Sequence, residues 1–307
     1  SLHDALPISS PALACHVHKF GGSSLADAAH IGRLAALVPA DARLRPVVVS
    51  AMAGTTNALV ALGNAAAAGE DWKPEWDALR QRHLETADAF ESEAGGPLHA
   101  ALEAEFAALA RDLRDHASVA DGQLRDARLA RIHGCGEQLS SRLAQAALGP
   151  DWHRLDAREV LVVHAAEMGA VVDWDASRAR LATWRLAHGA RDVVITGFVA
   201  RDAEGRDTTL GRNGSDYSAA IFANLFDADA LTIWTDVDGV LSADPRLVPD
   251  AVCLDAMSYA EACELAYFGA KVLHPQTLAP VQSRGTPVRI RNSRNPAAPG
   301  TLIALEA

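Results

Sequence analysis

CHVHKFGGSSL, residues 15–25, joins an apolar β-rich run to a turn of two glycines and two serines, after which a helical pattern begins. Lys19 stands at the end of the run, just before Gly21 and Gly22. A lysine there projects its ammonium into the space that the N–H groups of the turn also face, and the next helix adds its N-terminal partial charge. The stretch predicts a strand, a phosphate cradle and a helix. The alternative is an ordinary strand-to-helix turn with a surface lysine.

The same alternation continues along the chain. Apolar β-rich runs occur at residues 15–20, 46–50, 160–164, 192–199, 230–235 and 287–291. Helical patterns rich in Ala and Leu occur at residues 25–37, 57–67, 76–90, 98–114, 136–147, 215–225 and 258–268. Alternating strands and helices form a largely parallel sheet that is covered on both faces. We therefore expect an α/β fold, a three-layer αβα sandwich with a mostly parallel sheet and two lobes. Residues 201–209 predict a polar β-hairpin.

Composition narrows the class of protein. The chain has 307 residues, 49% of them hydrophobic, and a net charge of −11. An acidic protein lacks the basic face that nucleic acids and anionic membranes require, so neither is expected as a partner. The four cysteines have neither zinc-type nor redox-pair spacing, and no apolar run approaches the roughly 20 residues of a membrane span. We expect a soluble cytoplasmic protein, with residues 1–14 as a disordered tail or a leader.

LGRNGSDY, residues 210–217, is a second glycine-rich turn. The Arg212 guanidinium binds carboxylates or phosphates bidentately, and Gly214 permits a close backbone approach. Ser215 is predicted to cap the following helix, with Asp216 in its first turn. These residue types together predict an anion site. The alternative is a well-capped loop in which Asp216 only complements the helix dipole.

A third cluster follows the predicted strand 230–235. Thr235 and Asp236 lie where that strand ends, and ligands gather beyond the carboxyl ends of strands in parallel sheets. Arg246 and Lys271 supply further cations. The cluster favours a nucleotide site, although Lys271 could instead be a basic residue at a helix C-terminus.

Two more turns carry small polar residues. SAMAGTTN, residues 50–57, follows a strand and could hold a small polar substrate through Ser50 and Thr56, unless Thr56 or Asn57 only caps a helix. GCGE, residues 134–137, is predicted to open a helix in which Glu137 binds an ammonium group. The alternative for Glu137 is a first-turn acid that complements the helix dipole.

Several other motifs are absent from the sequence. There is neither a G-x-x-x-x-G-K-[ST] P-loop nor a G-x-G-x-x-G dinucleotide fingerprint. HRLD, residues 153–156, is only superficially like a protein-kinase catalytic loop, because the rest of that set is missing. The twelve histidines show no H-E-x-x-H or comparable spacing, so a protein-bound transition metal is not expected.

Taken together, five motifs resemble the aspartate kinases of the amino-acid kinase family. They match in order and spacing from about residue 15 to 303, and the chain is most similar to the kinase portion of bifunctional aspartokinase/homoserine dehydrogenases. The motifs are KFGGSS at 19–24, GRNGSD at 211–216, WTDVDGV at 234–240, DPR at 244–246 and FGAKVLHP at 268–275.

This resemblance implies transfer of the ATP γ-phosphoryl group to the side-chain carboxylate of L-aspartate, which gives 4-phospho-L-aspartate and ADP. That reaction is the first step towards lysine, threonine and methionine. Mg²⁺ would arrive bridging the ATP phosphates, with no metal held by the protein alone. The implied partners are L-aspartate and ATP, and a homodimer is compatible with the family.

The resemblance also implies roles for individual residues. Lys19 and Asp216 would be catalytic, with Asp216 orienting Lys19. The ATP site would comprise Lys19, Gly21, Gly22, Ser23, Thr235, Asp236, Arg246 and Lys271. The aspartate site would comprise Ser50, Thr56, Glu137 and Arg212. Leu241 stands where the family often has tyrosine, so an aromatic contact near the nucleotide is missing.

The implied catalytic domain covers residues 15–307, with an aspartate-side lobe at about 15–190 and an ATP-side lobe at about 191–307. The ACT and dehydrogenase domains of longer family members have no counterpart in this sequence, so feedback inhibition of the chain as given is not expected. Two alternatives stay open. One is a kinase of the same fold for another amino acid, such as glutamate or N-acetylglutamate. The other is a non-catalytic nucleotide-binding module.

Overall fold

The computed structural model describes residues 13–91, 95–166, 169–189, 191–244, 247–267 and 275–306. The strands of this part are β1 (Leu13–Phe20), β2 (Ala42–Leu44), β3 (Pro46–Val49), β4 (His153–Leu155), β5 (Val163–Ala166), β6 (Gly169–Val172), β7 (Val193–Thr196), β8 (Val199–Arg201), β9 (Asp207–Thr209), β10 (Ala230–Thr235), β11 (Ala256–Ser258), β12 (Val288–Asn292) and β13 (Thr301–Ala304).

The helices are α1 (Ala28–Gly32), α2 (Leu34–Leu37), α3 (Thr55–Ala68), α4 (Lys73–Ala87), α5 (Pro97–His116), α6 (Gly122–Leu148), α7 (Ala157–Val160), α8 (Trp174–His188), α9 (Gly214–Leu225), α10 (Tyr259–Tyr267) and α11 (Pro275–Gln282). A 3₁₀ turn, Gly22–Leu25, follows β1.

The central sheet has the strand order β11-β13-β12-β10-β1-β3-β7-β4, with β2 pairing on β1. β1 pairs in parallel with both β10 and β3, and β3 pairs in parallel with β7. β13 runs antiparallel to β12 near one edge. All four residues of β3 are buried, which is the continuous apolar pattern of a strand covered on both faces. The expected mostly parallel sheet is confirmed.

Two hydrophobic cores lie on opposite faces of this sheet. One joins Val17 and Ile233 to helices α8, α9, α10 and α11. The other joins Phe20 and Trp234 to helices α2 through α6, with the Phe20 and Trp234 rings stacked at 5.9 Å. The successive residues of each strand point to alternate faces, so the sheet is the middle layer of an αβα sandwich. The expected three layers are confirmed.

Several predicted elements have different bounds in the structure. The helix predicted at 25–37 is divided into the 3₁₀ turn, α1 and α2, because Asp27 accepts the N–H of His30 and starts a new helix. The run 160–164 is not a strand of the main sheet: α7 ends at Val160, and β5 forms a separate hairpin with β6. The hairpin predicted at 201–209 is confirmed as β8 and β9.

Helix α6 differs most from the prediction. It begins at Gly122, where the Asp121 side chain accepts the N–H of Leu124 at 2.8 Å, and it continues for 27 residues. The prediction that GCGE opens a helix is therefore wrong, since residues 134–137 lie in the middle of α6. Among the described helices, none combines the length and the apolar character that a bilayer span requires.

Candidate functional site

A cleft of about 590 Å³ opens at the edge of the sheet where the parallel strands end. The residues that follow β3 and β7 line it, together with Lys19 near the end of β1 and the start of α9. The chain proceeds outward from β1 in both directions along the sheet, so this edge contains the point where the strand order reverses. Ligands of open α/β sheets bind at such a point.

Lys19 and Asp216 form an ion pair inside the cleft, with 2.7 Å between Nζ and Oδ1. Lys19 is 7% exposed, because it lies on β1 between two paired strands, whereas a quarter of the Asp216 side chain remains accessible. Asp216 belongs to the first turn of α9, as the sequence predicts. A buried ammonium needs such a partner to stay charged, and the carboxylate fixes its position. The predicted pair is therefore brought together.

The glycine turn after β1 packs closely on neighbouring backbone. A Cβ at Gly22 would lie 3.0 Å from the carbonyl oxygen of Ala51, so a side chain there would push the two turns apart. Gly21 donates its N–H to the carbonyl of Trp234 at 3.3 Å. Ser24 shares a 2.7 Å hydrogen bond with Ser293, which also donates to the carbonyl of Thr235. The turn is thus held against the end of β10.

Glu137 reaches the cleft from the middle of α6, and two glycines of that helix explain how. A Cβ at Gly134 would lie 2.4 Å from a methyl of Val199, and one at Gly136 would lie 2.6 Å from Cβ of Ala51. The glycines therefore let α6 press against β8 and against the turn after β3. The alternative of a first-turn acid for Glu137 is wrong, because no helix begins there.

The Glu137 carboxyl is 3% exposed and only partly satisfied. Its Oε1 accepts the N–H of Ala51 at 3.0 Å, while Oε2 has no hydrogen-bond partner among the described residues. Burial raises the pKa of Glu137 to about 8, and the Ala51 and Ser215 hydrogen bonds and the Lys19 charge oppose that rise. A cationic group bound at this place would supply the missing donor and would favour the ionised carboxylate.

Glu137→Gln tests the burial of this carboxyl through the pH dependence of the free energy of unfolding. The folded protein holds the Glu137 proton up to about pH 8, whereas the ordinary pKa is 4.5, so stability is expected to fall as pH rises between these values. Glutamine carries no charge, and the variant should lack this part of the slope. It should be more stable than the parent at pH 9 by about 2 kcal/mol, measured by urea unfolding across pH.

Glu105→Gln is the matched control, because the Glu105 carboxylate is paired with Arg142 at 2.6 Å. This control should be destabilised and should keep the parent's slope. An unchanged slope in Glu137→Gln would contradict the buried, raised carboxyl.

The start of α9 provides the opposite side of the cleft. Arg212 is exposed and lines the cleft, and no hydrogen bond or ion pair joins its guanidinium to the parts of the chain that the structure describes. Helix α9 begins at Gly214, with Asn213 as N-cap at φ 57° and no side-chain cap. The prediction that Ser215 caps this helix is therefore wrong; its hydroxyl instead helps to lower the pKa of the Glu137 carboxyl. In the first turn of α9, the N–H groups of Gly214 and Asp216 donate to the carbonyls of Gly211 and Asn213, whereas the Ser215 N–H has no acceptor among the described residues and favours an anion nearby.

The turn after β3 carries Ser50 and Thr56 into the same cleft. Helix α3 begins at Thr55 with Gly54 as its N-cap in the left-handed conformation at φ 80°, so capping by Thr56 or Asn57 is wrong. From α4, Arg82 donates one hydrogen bond to the carbonyl of Ala53 at 2.8 Å and another to the carbonyl of Ala26 at 2.9 Å. One guanidinium therefore holds the two turns that flank Lys19.

We expect Arg82→Met to loosen both turns while α4 stays folded. Two charge-assisted hydrogen bonds to partly buried carbonyls are lost, at a cost of about 2 kcal/mol. Amide hydrogen exchange should accelerate in residues 22–26 and 50–54. Arg80→Met on the same helix is the control, because the Arg80 guanidinium pairs with Glu103, and no hydrogen bond or ion pair joins it to the described residues of either turn. Equal exchange in the two variants would contradict this role of Arg82.

The structure places the predicted site residues in three groups. Seven of them line the cleft together: Lys19, Gly22, Ser50, Thr56, Glu137, Arg212 and Asp216. Four others do not line it but lie in the adjoining turns: Gly21 and Ser23 after β1, and Thr235 and Asp236 at the end of β10. The predicted Arg246 and Lys271 lie outside the described residues.

Three lining residues were missed by sequence reasoning: His133, Phe198 and Thr209. His133 precedes Glu137 by four residues on α6, a spacing that would have been informative had the helix been predicted to begin earlier. Phe198 follows β7 at a positive φ of 68°, where Ser218 accepts its N–H at 2.9 Å. Its position at a strand end was the available signal.

The sequence profile of the amino acid kinase family matches residues 14–292. The chain is 40% identical over 294 residues to bifunctional aspartokinase/homoserine dehydrogenase 1 of Zea mays, covering 94% of this chain and 32% of that protein. It is 39% identical to lysine-sensitive aspartokinase 3 of Escherichia coli, covering 94% and 63%. The chain thus spans about a third of the bifunctional relative.

A solved structure leads to the same family. Aspartokinase III of E. coli in complex with aspartate and ADP superposes with a TM-score of 0.85 at 34% identity, covering 95% of this chain and 65% of that one. The expected resemblance is confirmed by sequence and by fold. The chain belongs to the amino acid kinase family.

Proposed function

We propose that this protein is an aspartate kinase, which transfers the γ-phosphoryl group of ATP to the side-chain carboxylate of L-aspartate. The observation that carries the proposal is the cleft itself, which the Lys19–Asp216 pair lines together with the buried Glu137 carboxyl and the Arg212 guanidinium, which no described residue engages. A fixed cation suits a phosphoryl group in transfer. An arginine and a buried carboxyl suit the carboxylate and the ammonium of an amino acid.

On the acceptor side, Arg212 binds a carboxylate of aspartate in a bidentate manner, and Glu137 accepts from the substrate ammonium through Oε2. The cationic Arg212 then pairs with a carboxylate of the substrate, and the anionic Glu137 pairs with its ammonium group. Ser50 and Thr56 lie in the same cleft and supply short polar contacts. Holding the acceptor oxygen in line with the phosphorus accounts for much of the catalysis in phosphoryl transfer.

On the donor side, an oxygen of the aspartate side chain forms the new bond to the γ-phosphorus as the bond to the ADP oxygen breaks. Negative charge accumulates on the transferring group. Lys19 stabilises this charge together with the Gly22 N–H, since the Gly21 N–H is donated to the carbonyl of Trp234, and Asp216 holds the Lys19 ammonium in place. No covalent intermediate with the protein is required, since the cleft supplies positioning and charge.

The nucleotide lies towards β10 in this proposal, with Thr235 and Asp236 at the strand end and Arg246 and Lys271 as further contacts. Mg²⁺ would enter with ATP and would supply positive charge to its phosphates. The two carboxyl groups among the described lining residues are consistent with a metal that enters with ATP. Asp216 is paired with Lys19, and Glu137 is buried with a raised pKa. Among the described residues that line the cleft, there is thus no pair of free carboxylates for a metal held by the protein alone.

Similarity to one solved structure and to two named relatives supports the proposal. E. coli aspartokinase III was solved with aspartate and ADP, and curated relatives are named aspartokinases. The product, an acyl phosphate, would feed the synthesis of lysine, threonine and methionine. We further propose a lobe boundary near residue 190, a homodimer, and a reducing compartment such as the cytoplasm, the last because all four cysteines are free thiols.

A hydroxamate assay tests the function directly. Purified protein is incubated with Mg-ATP, L-aspartate and hydroxylamine, which traps an acyl phosphate as a coloured hydroxamate. We expect product with L-aspartate and little with L-glutamate or N-acetylglutamate in parallel reactions. Arg111→Gln, which changes an exposed residue of α5, serves as the active control.

The other outcomes decide between the alternatives. Faster turnover of glutamate or N-acetylglutamate would keep the reaction and replace the acceptor. Binding of ATP by calorimetry without hydroxamate from any amino acid would reject the kinase and favour a non-catalytic nucleotide-binding module.

A further inference from the structure

A second cavity, of about 280 Å³, lies against the sheet away from the cleft, and the two share no lining residue. Strands β1, β10 and β12 contribute to it side by side. The registers pair His18 with Thr232, Thr232 with Arg289, and Trp234 with Arg291, so these side chains point to the same face. A row of polar and cationic side chains on a central sheet needs an explanation, because other side chains of the same strands pack into the two hydrophobic cores.

His18 is the deepest polar group of this cavity, at 1% exposure. Its Nδ1 accepts the indole N–H of Trp234 at 3.4 Å. An indole nitrogen only donates, so the proton of a neutral His18 is on Nε2. Burial, and after it the neighbouring His16 and the charges of Arg45 and Arg291, keep the pKa of His18 well below its ordinary value. His18 is therefore a neutral donor, and its Nε2 has no partner among the described residues.

Two arginines of β12 line the same cavity. The Arg291 guanidinium lies 5.0 Å from the centre of the Trp234 ring, and its Nη2 donates to the carbonyl of Pro296. Its Nε is buried and has no partner in the described part of the chain. Arg289 donates Nη1 to the carbonyl of Pro299 at 3.1 Å, and this is its one hydrogen bond to the described residues. Three donor-bearing groups thus surround one space, and two of them bury a donor that no described group accepts.

A metal ion is the competing occupant, because ligand atoms of His16, His18 and Asp41 lie within 4.8 Å of one another. The geometry disfavours it. His16 already uses Nδ1 on Asp41 at 3.0 Å and Nε2 on Thr232 at 2.9 Å. The Nε2 atom of neutral His18 carries the ring proton and therefore cannot coordinate a metal ion. The guanidinium groups of Arg289 and Arg291 would also repel a cation. Asp41 is the only acid among the described lining residues; its Oδ2 is engaged by His16, while its Oδ1 has no partner among the described residues.

We propose that this cavity is a binding site for a small oxyanion, a carboxylate or a phosphate, held by Arg289, Arg291 and the Nε2–H of His18. Oxyanions accept from guanidinium forks and from neutral N–H donors. The site is built into the strands that carry the cleft, since His18 precedes Lys19 and Trp234 precedes Thr235. It does not depend on the function proposed above.

Indole NMR tests the site without interference from anions bound in the cleft. The protein has six tryptophans, and Trp234→Phe assigns the one indole N–H that contacts His18. Sodium phosphate and, separately, sodium malonate are titrated at constant ionic strength while that resonance is followed. We expect a saturable shift with at least one of them. The one that saturates at lower concentration identifies the source of the oxyanion, phosphate or carboxylate.

Variants locate the binding. Arg289→Gln should weaken the saturable shift about tenfold. Arg111→Gln removes the same charge from the exposed face of α5 and should leave it unchanged, as should Lys19→Ala in the cleft.

No saturable shift of Trp234 with either anion up to tens of millimolar would overturn the proposal. Equal binding by Arg289→Gln would also overturn it. A saturable shift with zinc chloride alone, abolished by His16→Gln, would assign the cavity to a metal instead.

Discussion

Lys19→Ala is expected to lower kcat of the proposed kinase by about a thousandfold while the KM for aspartate changes by less than about threefold. Lys19 is the cation fixed at the carboxyl end of β1, and its ammonium is held 2.7 Å from the Asp216 carboxylate. A preorganised charge stabilises the transition state more than the ground state, since the phosphoryl oxygens gain negative charge during transfer. The loss should therefore appear in kcat, measured by the hydroxamate assay at saturating Mg-ATP.

The control for this variant is Lys73→Ala, because Lys73 pairs with Asp77 on the exposed side of α4. It should retain full activity. Lys19→Ala leaves the Asp216 carboxylate without its partner, so thermal unfolding must first show that the variant is folded. A folded Lys19→Ala protein with kcat within twofold of the parent would remove Lys19 from the chemistry.

The sequence allowed the cleft to be predicted because its parts are local signals at strand ends. Glycines and short hydroxyl residues after an apolar run predict a turn wherever they occur, and parallel strands place all such turns at one edge. These signals marked Lys19, Ser50 and Arg212 as separate candidate binding residues, and the resemblance to the family assigned them to one site. The order of the motifs along the chain indicated the amino acid kinase family, which the comparisons confirm.

Other parts of the site depend on long-range packing that no local pattern encodes. Gly134 and Gly136 resemble a helix start, yet they lie in the interior of α6. They are explained by close packing, because a Cβ at these positions would clash with Val199 and Ala51. Arg82 is an ordinary basic residue of an amphipathic helix until the carbonyls of Ala26 and Ala53 are seen beside it. The overlooked local signal was Asp121, whose cap starts α6 well before the glycines.

Arg212→Leu is expected to raise the KM for aspartate about a hundredfold, with a much smaller change in the KM for ATP. The Arg212 guanidinium is exposed in the cleft and engaged by no described residue, so its donors are available for a carboxylate. Charge-assisted hydrogen bonds to one carboxylate contribute roughly 1.5–3 kcal/mol each, which corresponds to about one to two powers of ten in affinity. Because no hydrogen bond or ion pair to a described residue is broken, the thermal stability should stay within about 0.5 kcal/mol of the parent.

Arg212→Lys separates charge from geometry. A lysine keeps the positive charge but cannot form two parallel hydrogen bonds to a carboxylate, so it should recover only part of the lost affinity. Arg206→Leu is the matched control, because Arg206 lies in the neighbouring hairpin loop and pairs with Asp202 outside the cleft. If Arg212→Leu raised the KM for ATP as much as that for aspartate, the guanidinium would belong to the phosphate side. The acceptor would then have to be held by Glu137 and the turn after β3 alone, which provides no cation for its carboxylate.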